Sequence, residues 1–210
     1  MSVQAAHFVF GEASGSPGGG DAGDEAVYTF TGALSGAGRE FNFSLFGLVQ
    51  GSGEASAGMR ATARQLLHDI YLPLLPWDAT ERPNALDSIA TVVNAQHESL
   101  TSMSLAIVVD SRAYLGWHGD GRVCVITEEG VAHFDYGNES PEPVASCVLS
   151  PGAYLLLCSG GLWQNLSDDD VMRIVTQAAG VQAACDELVN QALHHDEASR
   201  PLVVLVYRPD

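Results

Sequence analysis

Acidic side chains that can bind a divalent cation occur at two places in the chain. Asp24 and Glu25 are adjacent near the N-terminal end, and Asp120 lies between two glycines in Gly119-Asp120-Gly121. Carboxylate oxygens are hard ligands, which Mg²⁺ and Mn²⁺ prefer. Asp120 also has a simpler explanation, because aspartate and glycine are favoured in tight turns.

Three further polar segments contain residue types that bind metals. His118 precedes Asp120 by two residues, on the same side of a predicted strand. The segment 194–197, HHDE, lies at the end of a predicted helix, where histidine interacts favourably with the helix dipole. The three aspartates 168–170 lie in a predicted first helical turn, where acids are favoured for the same reason. A structural role explains each segment more simply than a metal site does.

Two features are candidates for ligand binding without a metal. Gly51, Ser52 and Gly53 precede a predicted helix, where backbone N–H groups can bind an anion, although loop geometry alone also explains them. Trp163 is a candidate for either a binding surface or core packing. The sequence contains no Gly-x-Ser-x-Gly hydrolase motif, no Walker loop and no GxGxxG after a strand.

Apolar runs and helical periodicity predict the elements that position these residues. Strands are predicted at HFVF and VYTFT near the N-terminus, and at 43–49, 103–109, 113–118, 123–127, 131–136, 154–158 and 202–207. Helices are predicted in pairs, at 54–75 with 84–100 and at 168–179 with 181–194. The strands between 103 and 136 are expected to form an antiparallel meander with tight turns. Helix pairs between antiparallel strands favour an α+β fold, a four-layer α/β/β/α sandwich of two antiparallel sheets.

Length and composition favour one domain. The chain has 210 residues, of which 46% are hydrophobic and 17% charged, so a hydrophobic core is expected over 1–210. Residues 11–24, GEASGSPGGGDAGD, predict a flexible Gly-rich loop. The absence of lysine and the abundance of Ala, Gly and Arg indicate a bacterial, GC-rich genome.

The charge balance excludes several classes of partner. The net charge is −17, from 26 acidic and 9 basic residues. Such a protein repels the phosphates of nucleic acids and anionic lipids, so neither nucleic acid nor membrane is expected as a partner.

The N-terminus lacks the features of a signal peptide, and no apolar run approaches the ~20 residues of a spanning helix. The four cysteines, without CxxC spacing, are predicted to be reduced and buried in a cytoplasmic protein: Cys124, Cys147, Cys158 and Cys185.

Four segments, in order along the chain, resemble motifs of the metal-dependent type 2C protein phosphatases, the PPM family. Residues 45–53, LFGLVQGSG, resemble the family's strand and loop "fxVaDGmGG", and 119–122, GDGR, resemble the end of its "vGDSR" hairpin. Residues 149–162, LSPGAYLLLCSGGL, resemble "l.pGD.lLLcSDGL", and 200–206, RPLVVLV, resemble the terminal "rDNvTvvvv". The order and the matching elements make the resemblance specific, and it implies the same sandwich fold.

The departures from the family motifs affect its metal ligands. The resemblance implies two divalent cations held by aspartates, but the matching positions here are Gln50, Gly160 and Pro201. The family's N-terminal carboxylates match Asp24 and Glu25, and its accessory metal ligand matches Asp120. The resemblance therefore implies a weak site for one ion at these three carboxylates. Two dications are not held close together without anionic ligands, so the ordinary two-metal reaction is expected to be lost. The short stretch between 120 and 160 predicts a short or absent flap.

Three functions follow as hypotheses. The first is a catalytically inactive pseudophosphatase without a cofactor, which acts as a regulatory module that binds a kinase or phosphoprotein. The second is a divergent phosphatase that uses Asp24, Glu25 and Asp120 with one Mn²⁺ or Mg²⁺ ion. The third is a structural subunit whose sandwich mediates oligomerisation. The missing carboxylates favour the first over the second, whereas the sequence does not separate the first from the third.

Overall fold

The structure, a computed structural model, describes residues 9–14, 25–36, 39–51, 89–90, 100–134 and 144–209. The strands in these ranges are β1 (Val9–Ser14), β2 (Glu25–Gly36), β3 (Arg39–Gly51), β4 (Leu100–Val109), β5 (Arg112–Gly119), β6 (Arg122–Thr127), β7 (Gly130–His133), β8 (Val144–Val148), β9 (Tyr154–Cys158) and β10 (Leu202–Tyr207). The helices with both ends described are α1 (Gly160–Trp163), α2 (Asp168–Gln177) and α3 (Val181–His195).

The strands form two antiparallel sheets, as the sequence predicts. Sheet A has the order β1-β10-β9-β6-β7, and sheet B has the order β2-β3-β4-β5-β8. The pairing of β1 with β10 joins the first and last described strands of the chain. β2 and β3 form a long hairpin in which Glu25 lies opposite Gln50.

Alternating side chains of sheet A build a core on each of its faces. In β10, Val203 and Leu205 pack in the cluster that contains the buried residues of α2 and α3. Leu202, Val204 and Val206 pack instead in the cluster formed with sheet B, against residues such as Phe46 and Leu115. Sheet A is therefore buried on both faces, which explains why its central strands are almost entirely apolar.

The outer face of sheet B is also buried. Leu45, Leu105 and Ile107 alternate with the residues that face sheet A, and each of them is buried. The predicted helices at 54–75 and 84–100 lie outside the described residues, except that Ile89 and Ala90 are helical and Ile89 is buried. The described layers of the sandwich are thus the helices α2 and α3, sheet A and sheet B.

The predicted meander is wrong, because its strands divide between the two sheets. β4 and β5 belong to sheet B, whereas β6 and β7 belong to sheet A. The turn between β5 and β6 has Gly119 at φ 65° and a buried Gly121 whose N–H donates to the His118 carbonyl. A side chain on Gly121 would collide with the backbone of Met103, so this glycine permits the close crossing from one sheet to the other.

Two local predictions also need correction. The flexible loop predicted at 11–24 begins too early, because residues 11–14 belong to β1; residues 15–24 lie outside the described residues. β8 was not predicted, since its segment follows two prolines and alternates weakly. Between 120 and 160 the described residues form strands and no helix, while 135–143 lie outside them, so the flap stays a prediction. Within the part of the chain that the structure describes, no helix has the length and apolar character to span a membrane.

Candidate functional site

The site is built where four segments meet at one end of the sandwich. These segments are the end of β3 with Gln50, the β5–β6 turn with Asp120, the start of α1 with Gly160, and the chain before β10 with Arg200 and Pro201. The contacts described below join the four segments. All three positions that the resemblance matches to metal-ligating aspartates therefore lie in one region.

Gln50 fixes the segment that leads into β10. Its Nε2 donates a hydrogen bond of 3.0 Å to the carbonyl oxygen of Arg200. Ser159 Oγ donates to the same oxygen at 3.1 Å and accepts from the Leu202 N–H at 2.9 Å. Hydrogen bonds thus hold the main chain on both sides of Pro201, at the Arg200 carbonyl and at the Leu202 N–H. The register of the β3–β4 pairing shifts between Gln50 and Gly51, so the regular pairing is interrupted next to the Gln50 side chain.

Asp120 occupies the space next to Gly160. A Cβ atom placed on Gly160 would lie 2.6 Å from Asp120 Cγ and would collide with Asp120 Oδ2. Gly160 is buried, whereas Asp120 is exposed on the β5–β6 turn. The absent side chain at position 160 and the carboxylate at position 120 therefore belong to the same small region of the site.

Trp163 joins α1 to the β5–β6 turn. Its Nε1 donates a hydrogen bond of 2.8 Å to the Asp120 carbonyl, and the Arg122 guanidinium carbon lies 3.4 Å from the centre of its ring. The side chain is partly buried and packs against the core under α2 and α3. A cation stacked on an indole ring is attracted by the ring's quadrupole. Trp163 thus packs against the core and borders the site at once.

Ser104 is a positioning residue that the sequence analysis missed. It is fully buried in β4, and its Oγ donates to the carbonyls of Arg122 at 3.1 Å and Cys158 at 3.4 Å. It therefore fixes sheet B against the strands of sheet A that lead into and out of the site. The signal available in the sequence was a serine between the apolar residues Met103 and Leu105 of β4.

The remaining predicted site residues are placed as follows. Asp24, Ser52 and Gly53 lie outside the described residues, and Gly51 ends β3. Glu25 lies opposite Gln50 in the register of β2 and β3, so its backbone is next to the site. The weak ion site and the anion site that include these residues stay predictions.

The other polar clusters of the sequence lie on separate elements. His118 is near the end of β5. His194 and His195 lie in the last turn of α3, and residues 196 and 197 follow it. The aspartates 168–170 form the first turn of α2, and Asp168 bonds His133 Nε2 at 2.9 Å. Among the described residues, no three His, Cys, Asp or Glu side chains are grouped so that they can hold a metal ion.

The residues present at the three matched positions do not fit a pair of dications. Gln50 is neutral, and its amide nitrogen already donates to Arg200. Gly160 has no side chain, and Pro201 has neither a polar side chain nor an N–H. Mg²⁺ and Mn²⁺ require hard anionic oxygen ligands, which none of these three residues supplies.

The four cysteines form no disulfide bonds with one another and lie in apolar surroundings. Cys124, Cys158 and Cys185 are buried, and Cys147 is half-buried on β8. Burial raises the pKa of the Cys147 thiol to about 11 and that of the Cys185 thiol to about 12. Thiols with such pKa values are poor nucleophiles at neutral pH, so neither of these two cysteines suits a catalytic role.

Solved structures similar to this chain are phosphatases. The S. agalactiae serine/threonine phosphatase has a TM-score of 0.64 at 14% identity, over 96% of this chain and 100% of that chain. The phosphatase domain of SpoIIE from Bacillus subtilis has a TM-score of 0.64 at 16% identity, over 98% of this chain and 93% of that chain. The catalytic domain of PstP, solved in complex with 2 manganese ions, has a TM-score of 0.55 at 19% identity, over 97% and 100%. In sequence, no protein-family model and no curated protein matches the chain.

The chain has the fold of the PPM-type serine/threonine phosphatases. The match covers nearly the whole chain and nearly the whole of each phosphatase domain, so the resemblance found in the sequence motifs is confirmed at the level of fold. Function depends on the residues placed on a fold rather than on the fold itself. For this PPM fold, the residues at the three matched positions are Gln50, Gly160 and Pro201.

Proposed function

We propose that this chain is a degenerate PPM phosphatase, a pseudophosphatase that acts as a regulatory module by binding a kinase or phosphoprotein. The observation that supports the proposal is the content of the site. Gln50, Gly160 and Pro201 stand where the family motifs have metal-ligating aspartates, and the fold brings the three together. A single substitution leaves room for compensation by a neighbour, whereas three together remove the anionic charge around the metal pair.

Electrostatics explains why three neutral residues have so large an effect. Two-metal sites hold their ions about 3.5–4 Å apart, where two dications repel each other strongly. Carboxylates offset that repulsion, and an amide, a hydrogen atom or a pyrrolidine ring does not. The Gln50 amide also donates a hydrogen bond to the Arg200 carbonyl, so this side chain makes a contact within the protein that needs no metal ion.

The same contacts suit a binding surface that keeps its shape without a metal. Gln50 and Ser159 hold the Arg200 carbonyl, and Trp163 holds the Asp120 carbonyl. A surface whose side chains are already ordered loses less conformational entropy when a partner binds. The strong negative charge of the chain favours a partner segment that carries arginine or lysine.

A second candidate function is supported by Asp120. Its exposed carboxylate lies next to Gly160, and Glu25 is opposite Gln50 in the strand register. With Asp24, these residues are the candidates for one Mn²⁺ or Mg²⁺ ion in a divergent phosphatase. In this alternative the chain remains a metal-dependent phosphatase, with one ion in place of two.

Calorimetric titration with Mn²⁺, run together with hydrolysis of p-nitrophenyl phosphate, tests the two candidates. We expect no high-affinity binding and no turnover above the Mn²⁺ blank for the wild type. Micromolar binding with turnover that is lost in Asp120→Ala, but kept in the control Asp169→Ala, would contradict the pseudophosphatase. Asp169 is a suitable control because it is exposed on α2 and its removal changes the net charge equally.

The binding half of the proposal has a separate test. Because the net charge of −17 favours a partner segment with arginine or lysine, the probe is a peptide whose phosphoserine is flanked by arginines. Immobilised protein is expected to retain this phosphopeptide more strongly than the unphosphorylated peptide, with no release of phosphate. Equal retention of both forms would contradict recognition of phosphoproteins and leave the kinase as the partner to test. Self-association in place of either would support the third hypothesis, a structural subunit.

A further inference from the structure

Among the described strands, β1 lies at the edge of sheet A, and a side chain binds the main-chain groups of its residue Glu12. Glu12 lies in the middle of β1, opposite Val204 of β10. Its N–H donates to Gln182 Oε1 at 3.3 Å, and its carbonyl accepts from Gln182 Nε2 at 2.8 Å. In an antiparallel strand the N–H and carbonyl of one residue point to the same side. Gln182 therefore binds two of the main-chain groups that an additional strand would use, at the centre of β1.

The local geometry holds the Gln182 amide in this position. Gln182 lies in the first turn of α3, and its Nε2 also donates to Asp186 Oδ1 at 2.9 Å, one helical turn away. A Cβ atom on Gly11 would lie 2.8 Å from both Cα and N of Gln182, so the glycine lets the helix approach the strand. The close approach and the helical contact orient the amide toward Glu12.

We propose that Gln182 is an intramolecular cap that closes the β1 edge of sheet A to a second copy of this chain. An unpaired edge presents main-chain donors and acceptors that template pairing with another chain. A second copy suits this edge, because two β1 strands paired antiparallel across a two-fold axis would continue sheet A in both molecules. The exposed Glu12 adds like-charge repulsion to such a pair, so the cap and the charge act together.

The variant Gln182→Ala tests the cap, with Gln191→Ala as its control. Gln191 lies on the same helix and makes a similar contact with Glu187, at 2.8 Å and four residues away. At high NaCl, where the Glu12 charge is screened, we expect Gln182→Ala to show a molar mass that rises with concentration in light scattering. Hydrogen exchange at the Glu12 amide should be about tenfold faster than in the wild type. Gln191→Ala should match the wild type in both measurements.

Either of two results would overturn the proposal. One is unchanged exchange at Glu12 in Gln182→Ala, and the other is faster exchange without an increase in molar mass. If the alanine variant does not fold, Gln182→Leu provides the same test, because leucine keeps the volume and helical propensity and removes every hydrogen bond of the amide. These measurements do not depend on metal binding or on phosphatase activity.

Discussion

Gly160 and Gly161 are adjacent at the site, but a side chain at each position would meet a different kind of obstacle. A Cβ atom on Gly161 would lie 2.6 Å from the carbonyl carbon of Arg200, which is main chain. The three atoms nearest to a Cβ atom on Gly160 all belong to the side chain of Asp120, which is exposed and can rotate away. We expect Gly161→Ala to lower the free energy of unfolding by about 2 kcal/mol and Gly160→Ala by less than about 1 kcal/mol. Urea unfolding of both variants measures the difference.

The pair Gly160 and Asp120 supplies a control for that experiment. In the double variant Asp120→Ala/Gly160→Ala, the cost at position 160 should become smaller, because the carboxylate that comes closest to the new Cβ has been removed. The cost at position 161 should not change when Asp120 is replaced. Equal losses for the two single variants would show that the Arg200 segment moves as readily as a surface side chain.

At the residue scale, the sequence predicted the identity of the site better than its contacts. The motif resemblance placed Gln50, Gly160 and Pro201 at matched positions, and the fold brings their segments together. The bond from Gln50 to Arg200 joins residues 150 positions apart, and no local pattern encodes such a contact. Ser104 was missed for the same reason, since its partners Arg122 and Cys158 lie in another sheet.

At the scale of single elements, α2 depends on a cap at its first turn. Ser167 is the N-cap, and its Oγ accepts from the Asp170 N–H at 3.2 Å. We expect Ser167→Ala to destabilise the protein by about 1 kcal/mol, measured by thermal or urea unfolding. The control is Thr176→Ala in the same helix. Thr176 Oγ1 donates back to the Met172 carbonyl, a contact that adds little to helix stability, so its loss should be close to neutral. A larger loss for Thr176→Ala than for Ser167→Ala would contradict this account.

The cap also gives α2 a defined pH dependence. Hydrogen bonds from Ser167 and then Arg173 lower the pKa of Asp170. A carboxyl group whose pKa is lower in the folded chain contributes stability above its unfolded pKa, about 3.9, and loses that contribution as the pH falls through the folded value. The stability difference between the wild type and Ser167→Ala should therefore be constant near neutral pH and shrink below about pH 4.

Whole strands were predictable where both faces are buried. β9 and β10 have the predicted bounds, because a continuous apolar run needs no decision about which face is exposed. α1 was not predicted, since four residues with two glycines carry no helical periodicity. The turn at 119–121 has the composition of a hairpin, and nothing local distinguishes a hairpin from a crossing between sheets. Assignment of strands to sheets therefore required the tertiary structure.

At the scale of the whole molecule, the net charge of −17 acts on stability. Self-repulsion of a strongly charged compact chain opposes folding, and salt screens it over a Debye length of about 10 Å at 0.1 M and 3 Å at 1 M. Raising NaCl should therefore raise Tm, and a gain of about 1 kcal/mol corresponds to roughly 2–4 °C. Sulfate is unsuitable for this measurement because it also stabilises proteins by exclusion from their surface. A Tm that falls with NaCl would mean that attractive ion pairs outweigh the repulsion.

The pairing of β1 with β10 has a consequence for how the protein is made. On the ribosome, β1 is synthesised before every other described element, whereas its partner β10 is synthesised after all of them. Sheet B contains no strand beyond Val148, so it is complete in the nascent chain while sheet A still lacks its central strand. During that interval β1 has no sheet to join, and Gln182 has yet to be translated. β1, whose edge Gln182 protects in the folded protein, is thus exposed to chaperones during synthesis.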